Sequence, residues 1–273
     1  MPLRPSNART VGDRLKLHRR EVRADGRTYQ VITLRSGTRA RFSTNLCHDT
    51  WHILSDPHGA RLLSRLLWGL SFQRHHGSLV LLDRRFIDPN PFDAEPGRPI
   101  ALIPADLTRL TAAAARRLAV PRPRSEGTVR WHTWGLDQAV HEWRTGRADG
   151  SRWRTWRPAP DVRHAAVEPV GGLLTFRASA SLLRCWAVYV ATMGDYVHDG
   201  MSYTELDGPR WGPCRSDGEV QTFTDYRQRV SVAKVSRREV LAAGHLPGGP
   251  AEIRPLVWRQ NSVVRRRRIR ASA

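Results

Sequence analysis

A short cluster, Cys47-His48-Asp49-Thr50-Trp51-His52, holds the side chains best suited to metal chemistry. On a helix, His48 and His52 would stand four residues apart and share one face, as two imidazole ligands of one metal ion require. His48, Asp49 and His52 are therefore a candidate metal site. The alternative is a set of polar groups at a strand-to-helix junction, because Asp56-Pro57 marks the next helix start.

The spacing of this cluster is similar to the H-E-x-x-H motif of zinc peptidases, with Asp49 at the position of the general-base glutamate. The similarity is partial, since aspartate is one methylene shorter than glutamate. No downstream glutamate at a fixed spacing completes the ligand set, and His75-His76 are candidate remote partners. Cys47 beside His48 suggests a nucleophile only if both residues face a pocket.

A second candidate site is acidic. From Trp186 to Pro209 the chain has no Lys or Arg, and four carboxylates and His198 fall in this stretch: Asp195, Asp199, Glu205 and Asp207. A carboxylate cluster in a basic protein can bridge a divalent metal ion and a phosphate, as a magnesium-dependent nuclease requires. Asp195 and Asp199 are the predicted ligands. The alternative is a loop that neutralises neighbouring arginines.

Tryptophan and arginine alternate in Ser151-Arg-Trp-Arg-Thr-Trp-Arg157. Aromatic rings stack on unpaired bases and guanidinium groups bind phosphates, so this segment is a candidate contact for nucleic acid. The same pattern also arises when arginine stacks on tryptophan inside a fold. The predicted contact residues here are Arg152, Trp153, Arg154, Trp156 and Arg157.

The two ends of the chain are strongly basic. Residues 1–27 contain eight Lys or Arg and three acids, and residues 254–273 contain seven Arg and no acid. Arginine runs of this kind neutralise phosphates and release their counterions. The predicted phosphate-binding residues of the C-terminal end are Arg265, Arg266, Arg267, Arg268 and Arg270.

The composition explains why polyanions are the expected partners. The 273 residues include 45 Lys or Arg and 25 Asp or Glu, which gives a formal net charge of +20. Only Lys16 and Lys234 are lysines, so genomic composition bias accounts for the preference for arginine. It does not account for the shortage of acids, and net charge is a legitimate argument about association.

The same arithmetic excludes several classes of protein. A hydrophobic fraction of 40% argues against global disorder. Three widely spaced cysteines without a C-x-x-C pair exclude a cysteine-rich zinc site and argue against a disulfide framework. The first 20 residues have no apolar signal-peptide core, and no apolar run approaches the ~20 residues that span a bilayer. We therefore expect a cytoplasmic protein.

The pattern of elements predicts an α+β fold, with a mixed sheet, packed helices and two small subdomains with flexible basic termini. The expected parts are a basic arm over 1–27, a subdomain over 28–119, a Pro/Arg-rich linker over 120–128, a second subdomain over 129–259 and an Arg-rich tail over 260–273. Asp56-Pro57 followed by a leucine stripe predicts the clearest helix. Residues 28–34 and 38–42 suggest a hairpin, and residues 229–235 suggest a strand.

Three functional hypotheses follow. The leading one is a nucleic-acid-binding protein, of DNA or RNA, that contacts phosphates through its arginine-rich segments. The second is a metal-dependent hydrolase or nuclease that uses the His/Asp or the Asp/Glu cluster with a divalent metal ion. The third is an interaction protein whose charge faces an acidic protein partner. The sequence leaves the oligomeric state open.

Overall fold

The computed structural model describes residues 14–120, 125–148, 160–206, 218–244 and 250–272. The helices are α1 (Pro57–Leu70), α2 (Ala112–Ala119), α3 (Leu136–Ala148), α4 (Ala180–Ala191), α5 (Tyr226–Ala242) and α6 (Pro250–Ser272). The strands are β1 (Arg14–Ala24), β2 (Arg27–Thr33), β3 (Phe42–Cys47), β4 (Thr50–Ser55), β5 (Ser78–Leu82), β6 (Ile100–Pro104), β7 (Gly127–His132), β8 (Ala166–Val170), β9 (Leu173–Ala178), β10 (Met201–Glu205) and β11 (Gly218–Phe223).

The strands form two mixed sheets. The larger sheet has seven strands in the order β7-β1-β2-β5-β6-β9-β8, and the smaller has four in the order β10-β11-β4-β3. In the larger sheet β2 runs parallel to β5 and β6 runs parallel to β9. In the smaller sheet β4 runs parallel to β11, and hairpin partners flank both. Mixed sheets with packed helices are the predicted α+β fold, which is confirmed.

The main core lies between the two sheets. It joins one face of the large sheet, one face of the small sheet and the packed helices α1 and α4. A second core lies under α2 on the opposite face of the large sheet. A third, smaller core joins Leu54 and Phe223 of the small sheet to Tyr226 and Val230 of α5. Because successive strand residues point to opposite faces, each sheet carries apolar side chains on both of its faces.

Helix α1 shows how the sequence specifies this core. Asp56 caps it by accepting a hydrogen bond from the Gly59 amide at 2.7 Å, and Pro57 occupies the first turn. The apolar stripe then meets the core, where Leu66 and Leu70 are fully buried. The helix predicted after Asp56 is therefore confirmed.

The described parts of the two basic ends, residues 14–27 and 260–272, are more ordered than the sequence suggests, and residues 1–13 of the predicted arm lie outside the described residues. Much of the predicted N-terminal arm is β1, which pairs with β2 on one side and β7 on the other. Its apolar residues alternate, and Leu17 and Val22 are buried, which fixes the strand in the sheet. Most of the predicted C-terminal tail is the second half of α6, which packs on α5 through buried Val257 and Val264.

The segment 120–128 does not separate two sheets. Strand β7 begins inside it, at Gly127, and pairs with β1 near the start of the chain, and β11 pairs with β4. Both sheets therefore combine strands from before and after this segment. None of the helices in the described ranges combines the length and the apolarity needed to cross a bilayer.

Two local predictions were wrong. Residues 28–34 and 38–42 do not pair as a hairpin, because β2 pairs with β1 and β5, and β3 belongs to the other sheet. Residues 229–235 are helical and lie inside α5. Buried Val230 and Val232 pack against neighbouring elements, so tertiary contacts override the β preference of branched side chains.

Candidate nucleic-acid interface

A basic cleft opens beside the start of α1, with a volume of about 610 Å³. Four cationic side chains and one carboxylate line it: Lys16, Arg39, Arg61, Arg65 and Asp137. Its apolar lining is built from five leucines: Leu15, Leu17, Leu34, Leu62 and Leu136. His58, Thr38 and Thr133 add polar groups. This volume lies in the range of sites that hold small ligands or parts of larger ones.

Three parts of the fold bring these side chains together. Helix α1 presents His58, Arg61 and Arg65 on one face, because residues three, four and seven apart align on a helix. Strand β1 contributes Lys16, and the loop between β2 and β3 contributes Arg39. The start of α3 closes the cleft with Asp137.

The cations at the rim are accessible. Lys16, Arg39 and Arg61 are exposed, whereas Arg65 is half-buried. Within the ranges that the structure describes, no ion pair uses Lys16, Arg39 or Arg61. The Asp56 carboxylate caps the start of α1 and offsets the positive end of the helix dipole, so the positive field of the cleft comes from its side chains.

Sequence reasoning missed this cleft, because its four cations come from distant parts of the chain. One signal was available. The leucine stripe of α1 leaves a second stripe at His58, Arg61 and Arg65, which is the polar face of an amphipathic helix. Nothing local in the sequence links that face to Lys16 or Arg39.

The C-terminal arginines that the sequence predicts as phosphate ligands lie on α6. Arg267 forms a paired contact with Glu239 of α5, with nitrogen–oxygen distances of 3.0 and 2.9 Å. These hydrogen bonds, with one from Gln260, hold the pKa of Glu239 below its usual value. Arg268 donates to Ser231 Oγ at 3.1 Å. Arg265, Arg266 and Arg270 are exposed and remain available to a partner.

Arg254, near the start of α6, forms ion pairs that hold this helix against the rest of the fold. Its Nε lies 2.8 Å from Asp93 Oδ2, and one of its terminal nitrogens lies 3.3 Å from Glu95 Oε2. The Asp93 side chain is only 2% exposed. The contact therefore docks α6 on residues 88–99 between β5 and β6, the proline-rich loop.

The predicted Trp-Arg contact falls outside the described residues. Arg152, Trp153, Arg154, Trp156 and Arg157 all lie between 149 and 159, the gap that follows α3. Their role in binding stays a prediction.

His48 and Asp49 form the two-residue turn between β3 and β4. Both have positive φ, 50° and 61°, as a type I′ hairpin turn requires. Both side chains are exposed. The expectation that His48 and His52 share a helix face is wrong, because the segment is a hairpin and His52 lies inside β4.

His52 has a different neighbour from the one predicted. Its side chain is 6% exposed, and its Nε2 lies 3.3 Å from Glu219 Oε2 on the adjacent strand β11. The register places Asn45, His52, Glu219 and Glu205 side by side across the four strands of the small sheet. Within the described part of the acidic stretch, which ends before Asp207, Glu205 is the acid that aligns with this row.

Asp195 and Asp199 have separate roles from each other. Asp195 accepts two hydrogen bonds from Arg144 of α3, at 2.8 and 2.7 Å. Asp199 and Gly200 have positive φ and form the turn before β10, where the Asp199 side chain is 92% exposed. Neutralisation of an arginine and turn formation therefore account for these two acids.

Across the described ranges, no group of three or more His, Cys, Asp or Glu side chains is arranged to hold a metal ion. Comparison of the chain with protein-family models, with curated proteins and with solved structures finds no match.

Proposed function

We propose that the protein binds nucleic acid by holding phosphate groups in the basic cleft of α1 and β1. The observation that carries this proposal is the convergence of Lys16, Arg39, Arg61 and Arg65 on one cavity. The net charge of +20 supports it, since a protein with this excess attracts polyanions.

The side chains of the cleft are better suited to bind the phosphate backbone of a nucleic acid than to recognise its bases. Arginine binds phosphate through two parallel hydrogen bonds, and three of the four cations are arginines. Among the residues that the structure describes, no Asn, Gln, Phe, Tyr or Trp side chain, of the kinds that read or stack on bases, lines the cleft. Binding is therefore expected to depend on charge and shape with little sequence selectivity.

A salt titration tests this proposal. Binding of fluorescein-labelled single-stranded DNA, double-stranded DNA and RNA would be measured by anisotropy between 50 and 300 mM NaCl. Each phosphate contact contributes a slope of roughly −0.7 to −0.9 to log K against log salt. The Arg39→Ala/Arg61→Ala variant should therefore flatten the slope by about 1.4 to 1.8.

The matched control is Arg116→Ala/Arg117→Ala. It removes the same charge from exposed positions of α2, which covers the opposite face of the large sheet. The control should keep the wild-type slope. Equal losses in the two variants would mean that bulk charge alone attracts the ligand, and no loss in the cleft variant would remove the cleft from the interface.

An acidic protein partner is the competing occupant of the same surface. The salt titration distinguishes the two occupants. Absence of affinity for all three nucleic acids at 50 mM NaCl would contradict our proposal and favour the acidic protein partner. The cytoplasmic location stays a prediction from the sequence.

A further inference from the structure

A second pocket lies on the outer face of the small sheet, with a volume of about 420 Å³. Its lining includes four side chains that can act as nucleophile, acid or base: Cys47, His48, His52 and Glu219. Asn45, Thr50 and Gln221 also line it. Phe92 and Trp258 line it as apolar walls, and Trp258 is 50% exposed. Cys47 and His48 thus face one pocket, the condition under which the sequence favours a nucleophilic cysteine.

The key residue of this pocket is His52. It is 95% buried, with a relative exposure of 5%, and its Nδ1 has no hydrogen-bond partner. Glu219 lies 3.3 Å from Nε2, and a carboxylate can only accept, so the pair favours the tautomer with the proton on Nε2. Nδ1 then keeps a lone pair that can accept a proton. A buried group without a partner is unusual and calls for an explanation.

Cys47 is the group from which that proton can come. In the register Asn45 pairs with His52 and Cys47 pairs with Thr50, so Cys47 lies diagonally across from His52 on the same face. Diagonal neighbours on paired strands lie within reach of long side chains. Cys47 is a free thiol and half-exposed, so a substrate in the pocket can reach it.

Asn45 supplies a donor beside this pair. Its Oδ1 already accepts a hydrogen bond from Asn90 Nδ2 at 2.8 Å. The Nδ2 hydrogens of Asn45 therefore remain for another acceptor. Side-chain amides at such positions stabilise the oxyanion that forms when a carbonyl is attacked.

We propose that this pocket is an acyl-transfer site in which Cys47 is the nucleophile, His52 the general base and Glu219 the residue that positions His52. The expected substrate class is an activated ester or thioester with a small acyl group. The proposal is independent of nucleic-acid binding, because the basic cleft contains none of these residues.

The reaction balances without a metal ion or a redox partner. Cys47 gives its proton to His52 Nδ1, and Sγ forms a bond to the carbonyl carbon. The bond from that carbon to the leaving oxygen or sulfur breaks, and His52 returns the proton to the leaving group. A water molecule then gives a proton to His52 as its oxygen adds to the thioester carbon. The carbon–sulfur bond breaks, and His52 passes that proton to Sγ, which releases the acid and restores the thiol.

The test uses 4-nitrophenyl acetate on the full chain with Cys214→Ser, a position outside the described residues. Acetylation of Cys47 would be followed by intact-protein mass spectrometry and by release of 4-nitrophenolate. Cys185 is an internal control, because it is fully buried and burial raises the pKa of its thiol to about 12. We expect a single acetyl group on Cys47, and none in the Cys47→Ser variant.

The His52→Gln variant should slow acetylation roughly 100-fold, the loss typical of a missing general base. His198→Ala is the matched control, since that histidine is 93% exposed and lies in the turn before β10. It should react as the parent does. An equal rate in His52→Gln and the parent, or a rate no greater than that of the urea-unfolded chain, would overturn the proposal.

Glu219→Gln provides a second readout if His52→Gln fails to fold. The amide oxygen can still accept from Nε2, but it lacks the charge that stabilises the imidazolium during attack. We expect acetylation to slow roughly 10-fold near pH 7, with the pH profile of the rate displaced from that of the parent. An unchanged rate and an unchanged pH profile in folded Glu219→Gln would contradict the positioning role.

Discussion

The basic cleft and helix α6 hold arginines in opposite ways. In the cleft, cations from β1, α1 and the β2–β3 loop converge on one cavity, and Lys16, Arg39 and Arg61 are exposed. On α6 the arginines are dense in sequence, yet Arg254 and Arg267 are held by carboxylates of neighbouring elements. Density in the sequence therefore does not tell which arginines are free, because Arg265, Arg266 and Arg270 stay exposed on the same helix.

A run of like charges in the sequence is therefore a weak predictor of a binding surface. Consecutive residues of a helix point in different directions, 100° apart. Some of the α6 arginines therefore turn toward α5 and the proline-rich loop, and the others turn toward solvent. Residues that are distant in sequence can point into one cleft because three elements meet there. Four predictions test this distinction.

The largest effect is expected for Arg254→Ala. The substitution leaves Asp93, which is 2% exposed, without its cationic partner. Removal of one member of a buried pair costs about 3 kcal/mol, so the free energy of unfolding in urea should fall by that amount. Asp93→Asn added to Arg254→Ala should recover most of the loss, because no buried charge is left. A loss below about 1 kcal/mol would mean that Arg254 behaves as a surface residue.

The second prediction compares the two regions in binding. Arg39→Ala/Arg61→Ala should weaken nucleic-acid binding roughly 30-fold at 0.1 M salt, the value of two lost phosphate contacts. Arg265→Ala/Arg266→Ala/Arg270→Ala removes three exposed charges from α6 and should weaken binding less than about fivefold. A larger effect of the α6 variant would reverse our assignment and restore the arginine run as the main contact.

The third prediction concerns the pair of Arg267 and Glu239. Both side chains are partly exposed, at 57% and 31%, so solvent screens their attraction. Arg267→Ala should lower the free energy of unfolding by less than about 1 kcal/mol. Arg266→Ala, at an exposed neighbouring position, should leave it unchanged. Equal effects of the two variants would show that the ion pair adds no stability.

The smallest effect is a dependence on pH. Hydrogen bonds from Arg267 and Gln260 lower the pKa of Glu239 in the folded chain. Its contribution to stability is therefore present above the unfolded value of about 4.3 and is lost as the pH falls through the folded value. The difference in melting temperature between wild type and Glu239→Gln should shrink from pH 7 to pH 3. A constant difference would exclude the ion pair as its cause.

The parts of the fold that local chemistry dictates could be predicted. The start of α1 could be predicted from the sequence. The Asp56 carboxylate caps the helix by accepting a hydrogen bond from the Gly59 amide, and Pro57 is compatible with the first turn. The strand predicted over 229–235 was wrong for the opposite reason. Its branched residues favour a strand locally, but burial of Val230 and Val232 against neighbouring elements stabilises a helix.

The candidate sites show the same division. The sequence singled out Cys47, His48 and His52, and the structure places all three around the pocket of the small sheet. It could not indicate Glu219, which is 167 positions beyond His52 and becomes its neighbour only through the parallel pairing of β4 and β11. It could not indicate the cleft either, because Lys16, Arg39 and Arg61 share no local pattern.

The sequence alone therefore determined the charge of the protein, its class of fold and the composition of each basic or acidic segment. These properties depend on which residues are present and on spacings of a few positions. The tertiary structure determines which cations are neutralised by carboxylates and which converge on a cleft. Attraction between exposed charges is screened beyond roughly 10 Å of space, so it depends on which residues strand pairing and helix packing bring together, however far apart they are in the chain.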